Sequence, residues 1–215
     1  MGLEGSRPPL EPGDQAPDFT LARADRKGLI SLADYRGRSP LLLGLYRGVS
    51  CAFCRRAIVR LNLAVDRLRA LGVEALVVVA TTPENAQLYF RYRPARLALA
   101  ADPDLTTHRA YGLPKVELPW EAFQSTRVNP TGELPEPLPV WEAVKALSRA
   151  EGFKPTDADR DETQRNWSQS AGEFLIDRDG TVRWAHVEYT SRDLAGIGKF
   201  PTDEEILAAA RMLTT

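Results

Sequence analysis

The chain has 215 residues, 43% of them hydrophobic, and a net charge of −1 at pH 7. That is enough for a full core in one domain spanning residues 1–215, and near-neutrality leaves no electrostatic footprint for nucleic acid or an anionic membrane. No run of about 18 apolar residues exists to cross a bilayer, and the start, Met1-Gly-Leu-Glu-Gly-Ser-Arg-Pro-Pro9, lacks the apolar centre of a secretory leader.

Residues 1–16 read as an irregular arm punctuated by Pro8, Pro9 and Pro12. Residues 18–22 alternate like a short strand, residues 25–28 form a turn, and residues 29–32 return, which predicts a hairpin. Residues 41–45 are a continuous apolar run of the kind buried on both faces of a sheet. From Ala52 onward, Cys54, Ile58, Leu61, Val65 and Leu68 recur at helical spacing until Gly72 stops the helix. Residues 75–80 form a second buried strand. Thr82-Pro83-Glu84 then reads as an N-cap with proline at the first helical position, opening a helix to about Tyr92. Residues 97–100 are a short strand, and Asp102-Pro103-Asp104 repeats the cap-plus-proline start, here of a short helix ending at Tyr111-Gly112.

Residues 113–170 break the pattern and read as an insertion lying over the domain. Pro130, Pro135, Pro137 and Pro139 make a stiff connector, Val140, Val144 and Leu147 give one helix ending near Gly152, and the polar residues 157–162 read as solvated. Residues 173–177 and 181–188 flank the turn Arg178-Asp179-Gly180 as a hairpin. Thr202 and Glu205 have capping-box spacing and open a last helix with Ile206, Leu207, Ala210 and Leu213. The expected class is therefore α/β. A central mixed β-sheet is flanked by helices, with an N-terminal hairpin extension and an insertion before the last β-hairpin.

Both cysteines, Cys51 and Cys54, fall where the strand at 41–45 gives way to the long helix. One helical turn apart, their sulfurs can meet. Unpaired N–H groups and the positive end of the helix dipole favour the thiolate, the reactive form. Cys54 lies on the apolar stripe and is expected to be buried, with Cys51 at the open tip. This asymmetry assigns Cys51 as the thiol that attacks a peroxide or disulfide, and Cys54 as the one that resolves it. Arg47 and Arg55, with Arg56 beside them, are expected to stabilise the thiolate. Two cysteines do not make a disulfide scaffold, and a redox pair points to the cytosol, where disulfides are transient. Half a zinc site would need further soft ligands, and neither His108 nor His186 forms a paired motif with the cysteines. The bland alternative is an inert buried pair.

His108, in a short helix, and His186, in a strand, read as surface or hydrogen-bonded residues rather than bases. Gly196-Ile-Gly-Lys199 lacks both the first glycine and the final Ser or Thr of a phosphate loop and reads as an ordinary loop. The prolines from Pro130 to Pro139 read as a spacer before a ligand for a proline-reading module. Trp120, Trp141 and Trp167 read as the insertion's own core against the main domain; the alternative makes them walls of a substrate pocket beside Cys51.

Four segments, Gly13-Asp-Gln-Ala-Pro-Asp-Phe19, Tyr46-Arg-Gly-Val-Ser-Cys-Ala-Phe-Cys54, Asp102-Pro-Asp104 leading to Tyr111-Gly112, and Gly172-Glu-Phe-Leu-Ile-Asp-Arg-Asp-Gly180, carry a resemblance. They resemble the thioredoxin-fold superfamily and, within it, the AhpC/TSA (peroxiredoxin-like) family. The resemblance covers most of the chain outside 113–170. It implies a thioredoxin-like fold and a thiol-dependent enzyme that reduces peroxides or protein disulfides with no metal or organic cofactor. Electrons would come from thioredoxin, glutaredoxin or a small thiol, and many relatives form a homodimer. A non-catalytic redox sensor or binding module is the remaining alternative. The chain departs from the pattern in three places. Typical peroxiredoxins carry P-x-x-x-T/S-x-x-C, where this sequence has Gly44 and Gly48. The arginine expected shortly before the late F-x-I-D strand is missing from Ser170-Ala171-Gly172-Glu173, as is the cis-proline of thioredoxins. Ala52 stands where a proline is common, and the Ala-Gly-Glu-Phe form resembles a C-x-x-C subgroup.

Overall fold

The two longest apolar runs lie side by side at the centre of the molecule. The computed structural model describes residues 7–116, 119–189 and 196–213. A hairpin of β1 (Thr20–Arg23) and β2 (Leu29–Ser31) precedes β3 (Leu41–Tyr46). The crossover helix α1 (Ala52–Ala70) joins β3 to the parallel β4 (Glu74–Val79), and α2 (Pro83–Arg91) joins β4 to the parallel β5 (Ala98–Ala101). After a short α3 (Thr106–Ala110) come α4 (Trp120–Ser125), a ladder of β6 (Arg127–Val128) with β7 (Leu138–Pro139), α5 (Val140–Ala150) and α6 (Asp157–Asn166). The hairpin of β8 (Gly172–Ile176) and β9 (Val182–Val187) and the helix α7 (Asp203–Arg211) close the chain. The main sheet has the order β2-β1-β5-β4-β3-β8-β9. Its core β5-β4-β3 is parallel and its flanks are antiparallel, a mixed sheet as expected.

The continuous apolar runs are explained by burial on both faces. Leu42, Tyr46, Val77 and Val79 point to one side, where α1 and α7 cover them with Ile58, Leu61, Val65, Leu68, Ile206 and Ala210. Leu41, Leu43, Leu45, Leu76 and Val78 point to the other, against Leu10, Phe19, Tyr111, Leu113 and Phe174. Each fully buried aliphatic side chain contributes about 1.5–3 kcal/mol, so these two layers fix the end of β3, where the cysteines begin. Among the described residues no helix is long and apolar enough to cross a membrane.

Several local expectations need correction. The short helix begins at Thr106, not at the Asp-Pro pair. Leu105 takes a left-handed turn at φ 56°, and the Asp102 carboxylate reaches past it to accept from the amides of Thr106 (3.1 Å) and Thr107 (2.7 Å). Asp102 thus caps the helix from outside. Among its described residues, the segment 113–170 holds three helices and a small ladder, not one helix and a connector. Residues 157–162 form most of α6, opened by a capping box between Thr156 and Asp159; Asp157, Ala158, Arg160 and Asp161 are exposed as expected, whereas Asp159 and Glu162 are not. Asp159 and Glu162 are buried against polar partners, Asn85 on α2 and Thr81 just after β4. A third apolar cluster ties this segment to the site: Phe123, Val128, Val140, Ala143 and Leu147 pack with Ala52, Phe53 and Ile197.

Candidate active site

β3 ends at Tyr46, and Arg47 to Ser50 carry the chain over to α1. Gly48 turns there at φ +144°, a conformation that side chains rarely tolerate. Cys51 is the N-cap of α1, with φ −75° and ψ 110°, and its sulfur accepts from the Cys54 amide at 3.2 Å. A cap of this kind normally needs a side-chain oxygen; here the sulfur answers the orphan N–H. Cys51 is half-buried and Cys54 fully buried on the α1 stripe, and both are unbonded thiols.

The two thiols are held in opposite states. Burial pushes Cys51 up, but the Cys54 thiol donating to its sulfur and the Arg47 charge outweigh that and bring its pKa down to about 6. Arg47 Nη2 lies 3.4 Å from the sulfur. Cys54 is pushed well above the ordinary thiol range by burial, by its hydrogen bond to Cys51 and by the Cys51 charge. Arg47 is buried and fixed by Glu188, which was not legible as a site residue. Nη1 meets Glu188 Oε2 at 2.5 Å and Nη2 meets Oε1 at 2.8 Å, a bidentate pair. Nη1 also donates to the Gln169 carbonyl at 3.0 Å. Glu188 in turn accepts from the amides of Ala171 (3.2 Å) and Gly198 (2.5 Å), so the loop before β8 and the turn at 196–198 both hold it.

Arg55 lies elsewhere. Its Nε pairs with Glu151 at 2.6 Å, its Nη1 donates to the carbonyls of Val49 and Ser50, its Nη2 donates to Ser148, and it stacks 3.9 Å over the Phe153 ring. Arg56 pairs with Glu133 and Glu151. Both therefore clamp α1 to residues of the 113–170 segment, and only Arg47 reaches the Cys51 sulfur with a hydrogen bond.

Cys51 opens into a small pocket of about 50 Å³ that also meets Arg47, Phe123, Trp141, Glu162 and Trp167. One water needs ~10–15 Å³, so a molecule of a few heavy atoms fits. Trp141 and Trp167 are thus pocket walls, while Trp120 packs behind them at 5.9 and 5.1 Å between ring centroids. Trp120 and Trp167 also pack on the third apolar cluster, as the core reading expects. The histidines divide. His186 Nε2 sits 3.1 Å from the Lys199 carbonyl, hydrogen-bonded as expected. His108 is fully buried, and burial lowers its pKa to about 4. The residues 196–199 form a turn, matching the plain-loop reading.

A profile of the AhpC/TSA family matches residues 12–185 of the chain. The chain belongs to the AhpC/TSA family. A Mycobacterium tuberculosis protein that carries a provisional peroxiredoxin name is 36% identical over 109 residues, which cover 48% of this AhpC/TSA chain and 66% of that protein. The chain thus spans just under two thirds of this curated relative's length. The solved structure of peroxidoxin BcpB from Mycobacterium tuberculosis superposes with a TM-score of 0.60 at 14% identity, over 96% of this chain and 99% of that one. A Chlorobium tepidum protein provisionally named thiol:disulfide interchange protein DsbE gives 0.50 at 22% identity, over 94% and 99%. At such identities these likenesses establish the thioredoxin-like fold alone.

The geometry also accounts for where this AhpC/TSA chain departs from the family pattern. A Cβ on Gly44 would stand 2.8 Å from the Tyr46 ring, so the ring occupies the room a larger residue would need. That ring is held by its hydroxyl, which donates to the buried Glu173 at 2.5 Å. At Gly48 no hydroxyl is present; the atom nearest that side of the chain, besides the Ala80 carbonyl, is Glu162 Oε2. Near the position before β8 where the family pattern has an arginine, the Gln169 carbonyl accepts from Arg47 at 3.0 Å.

Proposed function

We propose that the protein is a thiol-dependent peroxidase working through a Cys51/Cys54 dithiol–disulfide cycle. The observation that carries this reading is the Arg47–Cys51 contact at 3.4 Å beside a fully buried Cys54. It separates one thiol poised as thiolate from one kept protonated, the division needed for attack and resolution. Cys51 takes the terminal oxygen of a hydroperoxide and becomes a sulfenic acid; Cys54 then condenses with it, releasing water. A dithiol or small-thiol donor, such as thioredoxin, glutaredoxin or a low-molecular-weight thiol, returns the pair to the reduced state. Such a donor supports a reducing compartment such as the cytosol. A homodimer belongs to the same reading and is measured by light scattering. Residues 113–170 act in it as an insertion that encloses Cys51.

The small pocket with aromatic walls supports a hydroperoxide over a polypeptide disulfide. Thiol–disulfide exchange with proteins is the second reading, drawn from the C-x-x-C spacing. Peroxide consumption with a thioredoxin system, repeated on Cys51→Ser and Cys54→Ser, separates them. Cys51→Ser should abolish consumption, and Cys54→Ser should still lose one thiol to peroxide while forming no internal disulfide. Insulin reduction without peroxide turnover would sink the first reading in favour of the second, and stoichiometric oxidation without turnover would leave a sensor.

A further inference from the structure

Glu162 is a carboxyl group in a pocket otherwise walled largely by apolar side chains. It lies on α6, is 3% exposed, and lines the same pocket as Cys51. Its two oxygens differ. Oε1 accepts from the Thr81 hydroxyl and, at 3.4 Å, from the Asn85 amide. Oε2 is buried with no hydrogen-bond partner. It stands 3.4 Å from where a Cβ on Gly48 would be, three residues before Cys51, and the glycine leaves that side open. A bare buried carboxylate oxygen is costly, whereas a protonated one keeps a donor ready for whatever enters the pocket. Burial, reinforced by the Asp159 charge, raises the Glu162 pKa against the bonds from Thr81, Asn85 and the Thr82 backbone.

We propose that Glu162 is the acid that protonates the departing oxygen of a hydroperoxide as Cys51 attacks it. The proposal rests on the peroxidase reading above. The Cys51 thiolate attacks the terminal oxygen of R–O–O–H, and the S–O bond forms as the O–O bond breaks. Sulfur gives up two electrons and the peroxide gains them. The Glu162 proton passes to the leaving RO⁻, giving ROH, and leaves Cys51 as a sulfenic acid and Glu162 as a carboxylate. Water reprotonates Glu162 before the next turn. The site then sets Arg47 on the nucleophile and Glu162 on the leaving group, two groups doing opposite work on one reaction.

Leaving-group chemistry tests this. Stopped-flow oxidation of Cys51 is measured in reduced wild type and Glu162→Gln with tert-butyl hydroperoxide and with peracetic acid. The first expels a strongly basic alkoxide, the second a weakly basic carboxylate that needs no proton. Glutamine keeps the size and can still accept from Thr81, but it has no proton to give. The expected result is a fall of about 100-fold or more with tert-butyl hydroperoxide, and an unchanged rate with peracetic acid. Equal rates for the two proteins overturn the proposal. So does an equal loss with both peroxides, the mark of a purely structural residue. Wild type alone supplies a check that needs no variant to fold: across hydroperoxides of differing leaving-group basicity its rate should vary little, and a steep dependence overturns the assignment. Wild type that reacts with neither peroxide overturns the peroxidase reading itself.

Discussion

At the scale of single residues, the state of Cys51 is set by a balance in which Arg47 is the adjustable weight. The guanidinium is buried with Glu188, so replacing Arg47 alone would strand a buried carboxylate at a cost of about 3–5 kcal/mol. Replacing both together, Arg47→Met with Glu188→Gln, removes the pair without stranding either member. The Cys51 pKa should then climb from about 6 toward the free-thiol value of about 8.5. Because both bonds from Cys54 persist, the climb stops short of that value; a rise of about one unit would take the thiolate fraction at pH 7 from about 90% to about 50% and slow alkylation about 2-fold. The pH dependence of iodoacetamide labelling measures it, and an unmoved midpoint would mean that the bonds from Cys54 and the helix terminus set the thiol without Arg47. The cysteines and Arg47 were legible because they share a stretch of eight residues, Arg47 to Cys54. Glu188 was not, since it stands 141 positions from Arg47, and nothing local marks a carboxylate at the end of a strand as the partner of a distant arginine.

At the scale of elements, the same physics separates what could be read from what could not. β3, β4 and α1 announce themselves through apolar runs, a helical stripe and a stop at Gly72, because their partners are apolar and any apolar neighbour will do. The sequence of α6, DADRDETQRN, carries no apolar stripe, and a helix polar all round reads as solvent-exposed. It is held instead by specific polar contacts to Thr81 and Asn85, which exist only once the sheet has placed those residues. The expectation for Arg55 failed for a related reason: proximity in sequence put it near Cys51, but the helix turned its guanidinium toward Glu151 and Ser148. Its role is to fasten α1 to α5. Arg55→Met should cost about 1.5–3 kcal/mol and raise amide exchange in α5, while the Cys51 pKa stays put. A shift of that pKa by a full unit would restore Arg55 to the thiolate's surroundings.

For the molecule as a whole, the depressed Cys51 thiol makes stability depend on pH. Its pKa is about 6 in the fold and about 8.5 in the unfolded chain. A group lowered by folding contributes in full above its unfolded pKa, and the contribution is lost as pH falls through the folded value. The reduced protein should therefore gain up to ~3 kcal/mol over Cys51→Ser between pH 6 and pH 8.5. Cys54, held up by burial, stays neutral in the folded state over this range and moves the difference little. Thermal unfolding of both proteins across that range measures the gap; a constant gap would mean that Cys51 is not a thiolate in the fold.

The complete burial of Cys54 also sets the direction of the return half of the cycle. An incoming donor thiol can reach only the Cys51 sulfur, so Cys54 must be the group expelled. A thiol whose pKa burial pushes up is a slow leaving group. In the proposed cycle, regeneration is then expected to be the slow half: the oxidised form should accumulate in steady state, and throughput should follow the supply of donor rather than the concentration of peroxide.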